Sequence, residues 1–253
     1  MRRVLKIGGR AQGDPRLLTQ LVATLRRGDS IAVVHGGGDE VSALQRRLGL
    51  EPQFRGGRRV TSAEDLDIVR MILSGSTNKR LVAQLISHGV QAVGISGEDG
   101  PLLQARITDP EFGRVGGDIT VAPALIKHLW SVGFIPVISP LSRDREDPDG
   151  GGLNVNGDDA AAALAAALGA DELLLVADVP GVLDDAGATI PQLDGAAAQA
   201  LVASGVAKGG MAAKLEAGAL ALRGGVGRVR IGDLHAITDA TAGTRLLLSP
   251  VSI

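Results

Sequence analysis

An α/β architecture, a mostly parallel sheet with helices on both faces, is what this chain predicts from its patterning. Three observations lead there. Short apolar runs rich in Val, Ile or Leu recur at 2–7, 30–35, 91–96, 134–139, 172–177 and 228–232, flanked by Gly, Asp or Pro. Helical patterns separate them, and such alternation implies right-handed crossovers between parallel strands. The run 172–177 is apolar without a break from Leu173 to Ala177, which suits a strand buried on both sides.

The elements follow in order. Met1-Arg2-Arg3-Val4-Leu5-Lys6-Ile7 enters a strand at once, with no long apolar stretch behind its basic residues, so no signal peptide is expected. Helices are predicted at 14–27, 38–49, 62–88 (with a possible break near Gly75), 120–132, 157–168, 194–204 and 211–224. Residues 52–61 and 100–120 carry Gly-centred turns between short extended pieces and read as hairpins over the sheet. Residues 143–152 are polar and Gly-rich and read as a loop, and a lobe boundary is expected near 150–170. No window approaches the ~18 apolar residues of a membrane span.

Composition narrows the chemistry. The chain has 253 residues, 45% apolar and 21% charged, a length and balance that suit a globular protein with a large core. Its net charge of −2, with three Phe, one Trp and no Tyr, provides neither a basic field nor stacking platforms for nucleic acid. The absence of Cys excludes disulfides, thiol catalysis and thiolate metal sites, and is compatible with a cytoplasmic location. The unusual count is 36 Gly, about twice the ~7% average.

Some of those glycines sit where bare backbone has a use. Gly8-Gly9 closes the first strand and Gly36-Gly37-Gly38 closes the second. Ligands of parallel α/β sheets lie at the carboxyl ends of strands, and glycine there lets an anion reach backbone N–H groups. Gly-Gly pairs also occur at 56–57 and 209–210. The P-loop pattern G-x-x-x-x-G-K-[ST], the dinucleotide pattern G-x-G-x-x-G, the nucleophile elbow G-x-S-x-G and the zinc pair H-E-x-x-H are all missing. The four His are dispersed, and His35 reads as a turn or core residue.

A few charged and polar residues stand out. Lys6 is the one charge at the apolar end of its strand, two residues before Gly8, so alternation puts both on one face. Asn156 is a good N-cap for the Ala-rich helix, but capping does not account for Asn154, Asn156 and Asp158 together. Lys214 lies near the start of a helix, where the dipole disfavours a cation, so an anionic partner is expected. Arg58 and Arg59 flank a hairpin turn, and arginine is the usual bidentate clamp for a carboxylate.

Eight motifs occur in order along nearly the whole chain: K-I-G-G (6–9), V-H-G-G-G (34–38), G-G-R-R-V-T (56–61), T-N-K-R-L-V (77–82), G-I-S-G-E-D-G (94–100), N-V-N-G-D (154–158), L-V-A-D-V-P-G-V-L (175–183) and G-G-M-A-A-K-L (209–215). In this set the chain resembles the amino acid kinase family, with R-V-T and N-V-N-x-D pointing to its acetylglutamate branch. The resemblance implies a three-layer αβα sandwich around a roughly eight-stranded, mostly parallel sheet. It implies an N-terminal lobe, 1–160, for amino-acid binding and dimerisation, and a C-terminal lobe, 161–253, for ATP.

Carried over by residue, Lys6 and Lys214 would stabilise the transferring phosphoryl group and Asp158 would hold both lysines. Gly8, Gly37 and Gly38 would offer N–H groups, Arg59 would bind the substrate α-carboxylate and Asn154 its acetamido region, with Asn156 also among the substrate-binding residues. Asp178, Val179, Pro180, Gly181, Val182 and Leu183 would contact ATP, as would Val206, Ala207, Lys208, Gly209 and Gly210. Gly157 stands where the family usually has Ala, and Arg58 where it often has an apolar residue.

The implied reaction is phosphorylation of the γ-carboxylate of N-acetyl-L-glutamate by MgATP, a step of arginine biosynthesis. No dedicated metal motif is expected, since the phosphates carry the Mg²⁺. A carboxyl with an ordinary value of about 4.3 is already ionised at neutral pH, so no general base is required. Other acceptors stay open, including N-succinylglutamate and carrier-bound aminoadipate or glutamate, for which Arg26-Arg27, Arg46-Arg47 and Arg58-Arg59 would suit an acidic carrier. A non-catalytic, effector-binding member would not need both lysines, Asp158 and the glycines. Arginine-inhibited members carry a helix ahead of the first strand, so its absence predicts a homodimer without strong arginine inhibition. Ile68, Val69, Ile72 and Leu73 could supply the dimer surface or a core-facing stripe.

Overall fold

The computed structural model describes residues 1–25, 27–55, 58–147, 149 and 151–248; Arg26, Gly56, Gly57 and the end of the expected C-terminal lobe lie outside them. The chain runs β1 (Arg2–Ile7), α1 (Arg16–Leu25), β2 (Ser30–His35) and α2 (Gly38–Arg47). A hairpin of β3 (Phe54–Arg55) and β4 (Arg58–Arg59) leads into α3 (Ala63–Arg70), a π-helical segment (Met71–Thr77) and α4 (Asn78–Ser87). Next come β5 (Ala92–Ser96), β6 (Leu103–Ile107), β7 (Val115–Val121), α5 (Ala124–Ser131), β8 (Ile135–Ser139), β9 (Leu141–Asp144) and β10 (Gly152–Val155). The last part is α6 (Gly157–Leu168), β11 (Glu172–Val176), β12 (Gln192–Asp194), α7 (Gly195–Ala203), α8 (Gly210–Arg223), β13 (Val229–Gly232) and β14 (Thr244–Leu247).

The main sheet has eight strands in the order β12-β14-β13-β11-β1-β2-β8-β5. All neighbours from β13 to β5 are parallel, β14 is antiparallel to β13, and β12 follows β14. Alternation along the central strands divides the core. Val4, Leu173, Leu175 and Val229 pack with α6 and α8 on one face. Leu5, Ile7, Leu174 and Val176 pack with α1 and α4 on the other. Each such fully buried side chain contributes about 1.5–3 kcal/mol, and the result is the expected three-layer sandwich.

The chain order turns at β1. From β1 it proceeds to β2 on one side, and much later β11 joins on the other. Such a reversal leaves a crevice at the carboxyl ends of the two strands, here after Ile7 and Val176.

Several local expectations change. The 62–88 segment is one continuous helix that passes Gly75 by widening into a π-turn, which absorbs an extra residue without a break. Ser62 and Asp65 close its start as a capping box. Ile68, Val69 and Leu73 are buried with Val41, Leu66 and Leu141, and the partly buried Ile72 packs against them, so that stripe faces the core. The 120–132 helix starts only at Ala124, because Asp118 to Val121 belong to β7 and Pro123 caps the helix. The 100–120 region is no free hairpin: β6 and β7 pair antiparallel but close with β9 and β10 into a small four-stranded barrel. The expected 143–152 loop therefore begins inside β9 and ends in β10. L-S-R-D and G-L-N-V are too short and polar to signal strands by themselves, as are the three- and four-residue β12 and β14.

At the opposite end of the sheet, Glu172 is fully buried and ties three strands. Its carboxylate accepts hydrogen bonds from Arg3 at 2.6 Å and Arg230 at 2.8 Å and forms an ion pair with Arg228 at 3.0 Å. Those arginines, led by the Arg230 hydrogen bond, hold its carboxyl below the ordinary range against the opposing effect of burial. Glu172→Ala strands these guanidinium groups, and urea unfolding is expected to show a loss of about 3–5 kcal/mol.

Candidate active site

Three elements meet at the crevice. Lys6 closes β1, Asp158 opens α6 and Lys214 lies in the second turn of α8. Lys6 Nζ lies 3.0 Å from Asp158 Oδ1, and Lys214 Nζ donates to Asp158 Oδ1 and Oδ2 at 3.3 and 3.2 Å. All three are buried. Asn156 explains why Asp158 stays put: its side-chain oxygen accepts from the Asp158 and Asp159 N–H groups, capping α6. Two ammonium groups thus share one carboxylate. Burial, then the neighbouring Lys6, pushes Lys214 below the ordinary lysine value, while Asp158 opposes that shift.

Two clefts adjoin here. One, of about 280 Å³, is lined by Lys6, Gly37, Arg59, Asn154, Asn156 and Asp159. The other, of about 380 Å³, is lined by Gly8, Gly9, Asp178, Val179, Gly210 and Lys214. Gly38 and Asp39 line both. Each cleft therefore holds one of the two lysines, and Asp158 joins them across the boundary.

Arg59 is the most constrained side chain of the first cleft. It donates to Gly38 O at 2.8 Å, to Ser42 Oγ at 2.6 Å and to Gln45 Oε1. Its guanidinium sits 4.7 Å from the Phe54 ring centroid. Three of its five N–H donors are thereby used, which leaves two. Gly38, Ser42 and Gln45 lie at i, i+4 and i+7 on one face of α2, a spacing that could have flagged Ser42 and Gln45 beforehand. Gln45 also donates to Asp65, which links the clamp to the α3 cap. Asn154 Nδ2 donates to Thr61 Oγ1 at 3.1 Å. Arg58 reaches Glu216 at 3.8 Å, an exposed pair of little energetic weight.

The expected nucleotide-contacting residues separate into two groups. Asp178, Val179 and Gly210 line the second cleft. Gly181, Val182 and Ala207 are buried behind it, and the Val182 N–H donates to Thr244 Oγ1 at 2.8 Å, so these shape the loop from within. Pro180, Val206, Lys208 and Gly209 are exposed and Leu183 is half-buried. Asp39 and Asp159 both line clefts and were not singled out by sequence, since a helix start normally carries such acids. No group of three or more His, Asp or Glu among the described residues could hold a metal ion, and no helix among them is long and apolar enough to cross a membrane.

The model described as the amino acid kinase family matches residues 1–233. An acetylglutamate kinase of Rubrobacter xylanophilus is 44% identical over 95% of this chain and 93% of its own. One from Chloroflexus aurantiacus is 42% identical over 96% and 95%. A solved structure of smu.665 from Streptococcus mutans superposes with a TM-score of 0.87 at 30% identity, over 97% of this chain and 98% of the other.

Asp159 carries an electrostatic penalty. Burial raises its carboxyl above the ordinary value, with Asp158 and Glu216 adding to the shift and Arg58 and Lys6 opposing it. A raised folded-state value means that the native state holds the proton longer than the unfolded chain. Stability therefore falls as pH rises through the window above the ordinary value of 3.8, and the full penalty is present at neutral pH. Asp159→Asn is expected to raise Tm at pH 7, by about 2–4 °C per kcal/mol relieved, with the gain vanishing below the ordinary aspartate range. Thermal scans at both pH values check this.

Proposed function

From membership of the amino acid kinase family, to which this chain belongs, we propose that it transfers the γ-phosphoryl group of ATP to the γ-carboxylate of N-acetyl-L-glutamate. The products are N-acetyl-L-glutamyl 5-phosphate and ADP, and the step belongs to arginine biosynthesis. The observation that carries this reading is the placing of one lysine in each of two adjoining clefts on a shared carboxylate. We place the acid in the 280 Å³ cleft, within lobe 1–160, and ATP in the 380 Å³ cleft, largely within lobe 161–253.

The chemical obstacle is the approach of one anion to another. The acceptor carboxylate is ionised at neutral pH and attacks the γ-phosphorus; the bond to the bridging oxygen breaks and ADP leaves. Lys6 faces the acceptor side and Lys214 the donor side, and together they stabilise charge on the transferring group. Asp158 is committed to the two ammonium groups and acts as their holder, with no proton to remove. Gly8 on the nucleotide side, and Gly37 and Gly38 on the acid side, supply N–H groups. Arg59 takes the α-carboxylate with its remaining donors, and Asn154 and Asn156 border the acyl group. Asp178 to Leu183 and Val206 to Gly210 form the nucleotide wall. Mg²⁺ enters with ATP as part of the substrate and needs few ligands from the chain. We place the enzyme in the cytoplasm as a homodimer, and the exposed Met71 and Ile86 on the 63–87 helical segment offer it an outer surface.

Purified protein with MgATP and N-acetylglutamate is expected to yield an acyl phosphate that hydroxylamine traps as a hydroxamate. Signal only with N-succinylglutamate or a carrier-bound acid would overturn the acceptor assignment. Lys214→Ala is expected to lower kcat by roughly 10²- to 10³-fold. Arg59→Ala is expected chiefly to raise the KM for the acid, roughly 10- to 100-fold, as the loss of charged hydrogen bonds would. An unchanged KM in Arg59→Ala, together with loss of acid binding in Lys6→Ala, would reverse the assigned roles.

A further inference from the structure

His35 is a fully buried titratable group that the reaction above does not use. Its ring lies between two defined partners. Nδ1 is 2.8 Å from Gly36 O, and Nε2 is 3.1 Å from Asn78 Nδ2. The orientation of the Asn78 amide follows from its other contacts: Nδ2 also donates to Val137 O at 2.9 Å, and Oδ1 accepts from Lys79 Nζ at 3.2 Å. Lys79 itself is anchored on Gly94 O at 2.8 Å. Since Asn78 donates to Nε2, that nitrogen must carry the lone pair, and the proton resides on Nδ1 and is donated to Gly36 O. The direction of every bond from Lys79 to Gly36 is therefore determined.

Gly36 O receives a second donor, Gln12 Nε2, at 2.9 Å. In a trans peptide the C=O of one residue and the N–H of the next point in opposite directions. Fixing Gly36 O toward His35 and Gln12 turns the Gly37 N–H the other way, and Gly36, Gly37 and Gly38 all line the acid cleft. Two glycines make room for this arrangement. Gly37 has φ +154°, and a Cβ there would lie 2.7 Å from Leu73 Cδ2. At Gly94 a Cβ would lie 1.8 Å from Asn78 Oδ1, so a side chain on β5 would displace the amide.

We propose that Lys79, Asn78 and His35 form a positioning relay that fixes the Gly36–Gly37 peptide so that the Gly37 N–H faces the acceptor anion. The inference rests on the reading of this cleft as the acceptor site. It assigns His35 no proton transfer. Burial pushes the ring down to about 4, so it stays neutral over the working range. The charged groups acting on it are Glu40 of α2, Arg80 and Lys79 of α4, and Glu40 and Arg80 pair at 2.6 Å.

The test compares His35→Leu with His35→Asn. Leucine fills most of the volume but has no donor, whereas asparagine leaves a larger gap and keeps a donor at the δ position. His35→Leu is expected to lower kcat about a hundredfold, and His35→Asn to recover at least tenfold of that despite a lower Tm. If kcat instead follows Tm, with Asn no better than Leu, the role is packing and the relay is overturned. Asn78→Asp places an acceptor opposite Nε2, so only the imidazolium can satisfy both neighbours; its kcat is expected to fall as pH rises and the ring loses a proton. A pH profile in Asn78→Asp that matches the wild type counts against the relay. Nitrogen-15 spectra of labelled histidine in the wild type give an assay-independent reading: an Nδ1–H tautomer at neutral pH is expected, and an Nε2–H tautomer overturns the proposal. A wild type that forms no acyl phosphate would overturn the functional reading instead, while the tautomer would still decide the relay.

Discussion

Two buried ammonium groups pressed against a single carboxylate impose the central constraint on this molecule. Like charges about 4 Å apart repel by about 4 kcal/mol at an effective dielectric of 20, so the arrangement persists only with a counter-charge between them. Asp158 provides it, touching Lys6 and Lys214. The trio still carries a surplus positive charge, and Lys214 is depressed first by burial and then by the neighbouring Lys6. Anions entering the adjoining clefts relieve that surplus. On the function proposed above, affinity for substrate and stabilisation of the reacting group share one electrostatic origin.

The fold serves that constraint. Lys6 comes from the middle strand, Asp158 from the start of α6 and Lys214 from α8, residues far apart in the chain. The turn in strand order at β1 brings them together at one crevice. Helix α6 packs on β1, β11 and α8, so the carboxylate stands on the element shared by both halves of the sheet. A lobe boundary at residue 160 would fall in the first turn of that helix.

Helix α2 has a comparable role at the first cleft. One of its faces holds Arg59 through Gly38, Ser42 and Gln45. Its entry is the Gly37 turn, against which Leu73 and Thr77 of the π-helical segment pack. Arg59 and the bare backbone at Gly37 are therefore both held by a single element. A shift of α2 would alter both, which is why the buried contacts of His35 and Asn78 bear on the site although neither residue reaches the cleft.

Much of this was legible in the sequence. Six strands of the main sheet, most of the alternating helices and the glycine clusters at strand ends are local patterns of period, run length and residue type, and they appear where expected. The motif order identified Lys6, Asp158, Lys214 and Arg59 as the residues to examine, and an unpaired cation at a helix start called for an anion near Lys214. Tertiary structure decided the rest. Strands of three or four residues such as β9, β10, β12 and β14 exist only because neighbours complete their ladders, so their own sequences carry little signal. The stripe at Ile68, Val69, Ile72 and Leu73 had the same period whether it met a partner subunit or the core, and packing against Val41 and Leu141 turns it to the core. Asp159 looks like an ordinary helix-start acid until the chain folds back on it. Periodicity records which face of an element is apolar; it does not record what that face meets, and a site assembled from contacts between distant residues is decided by that meeting.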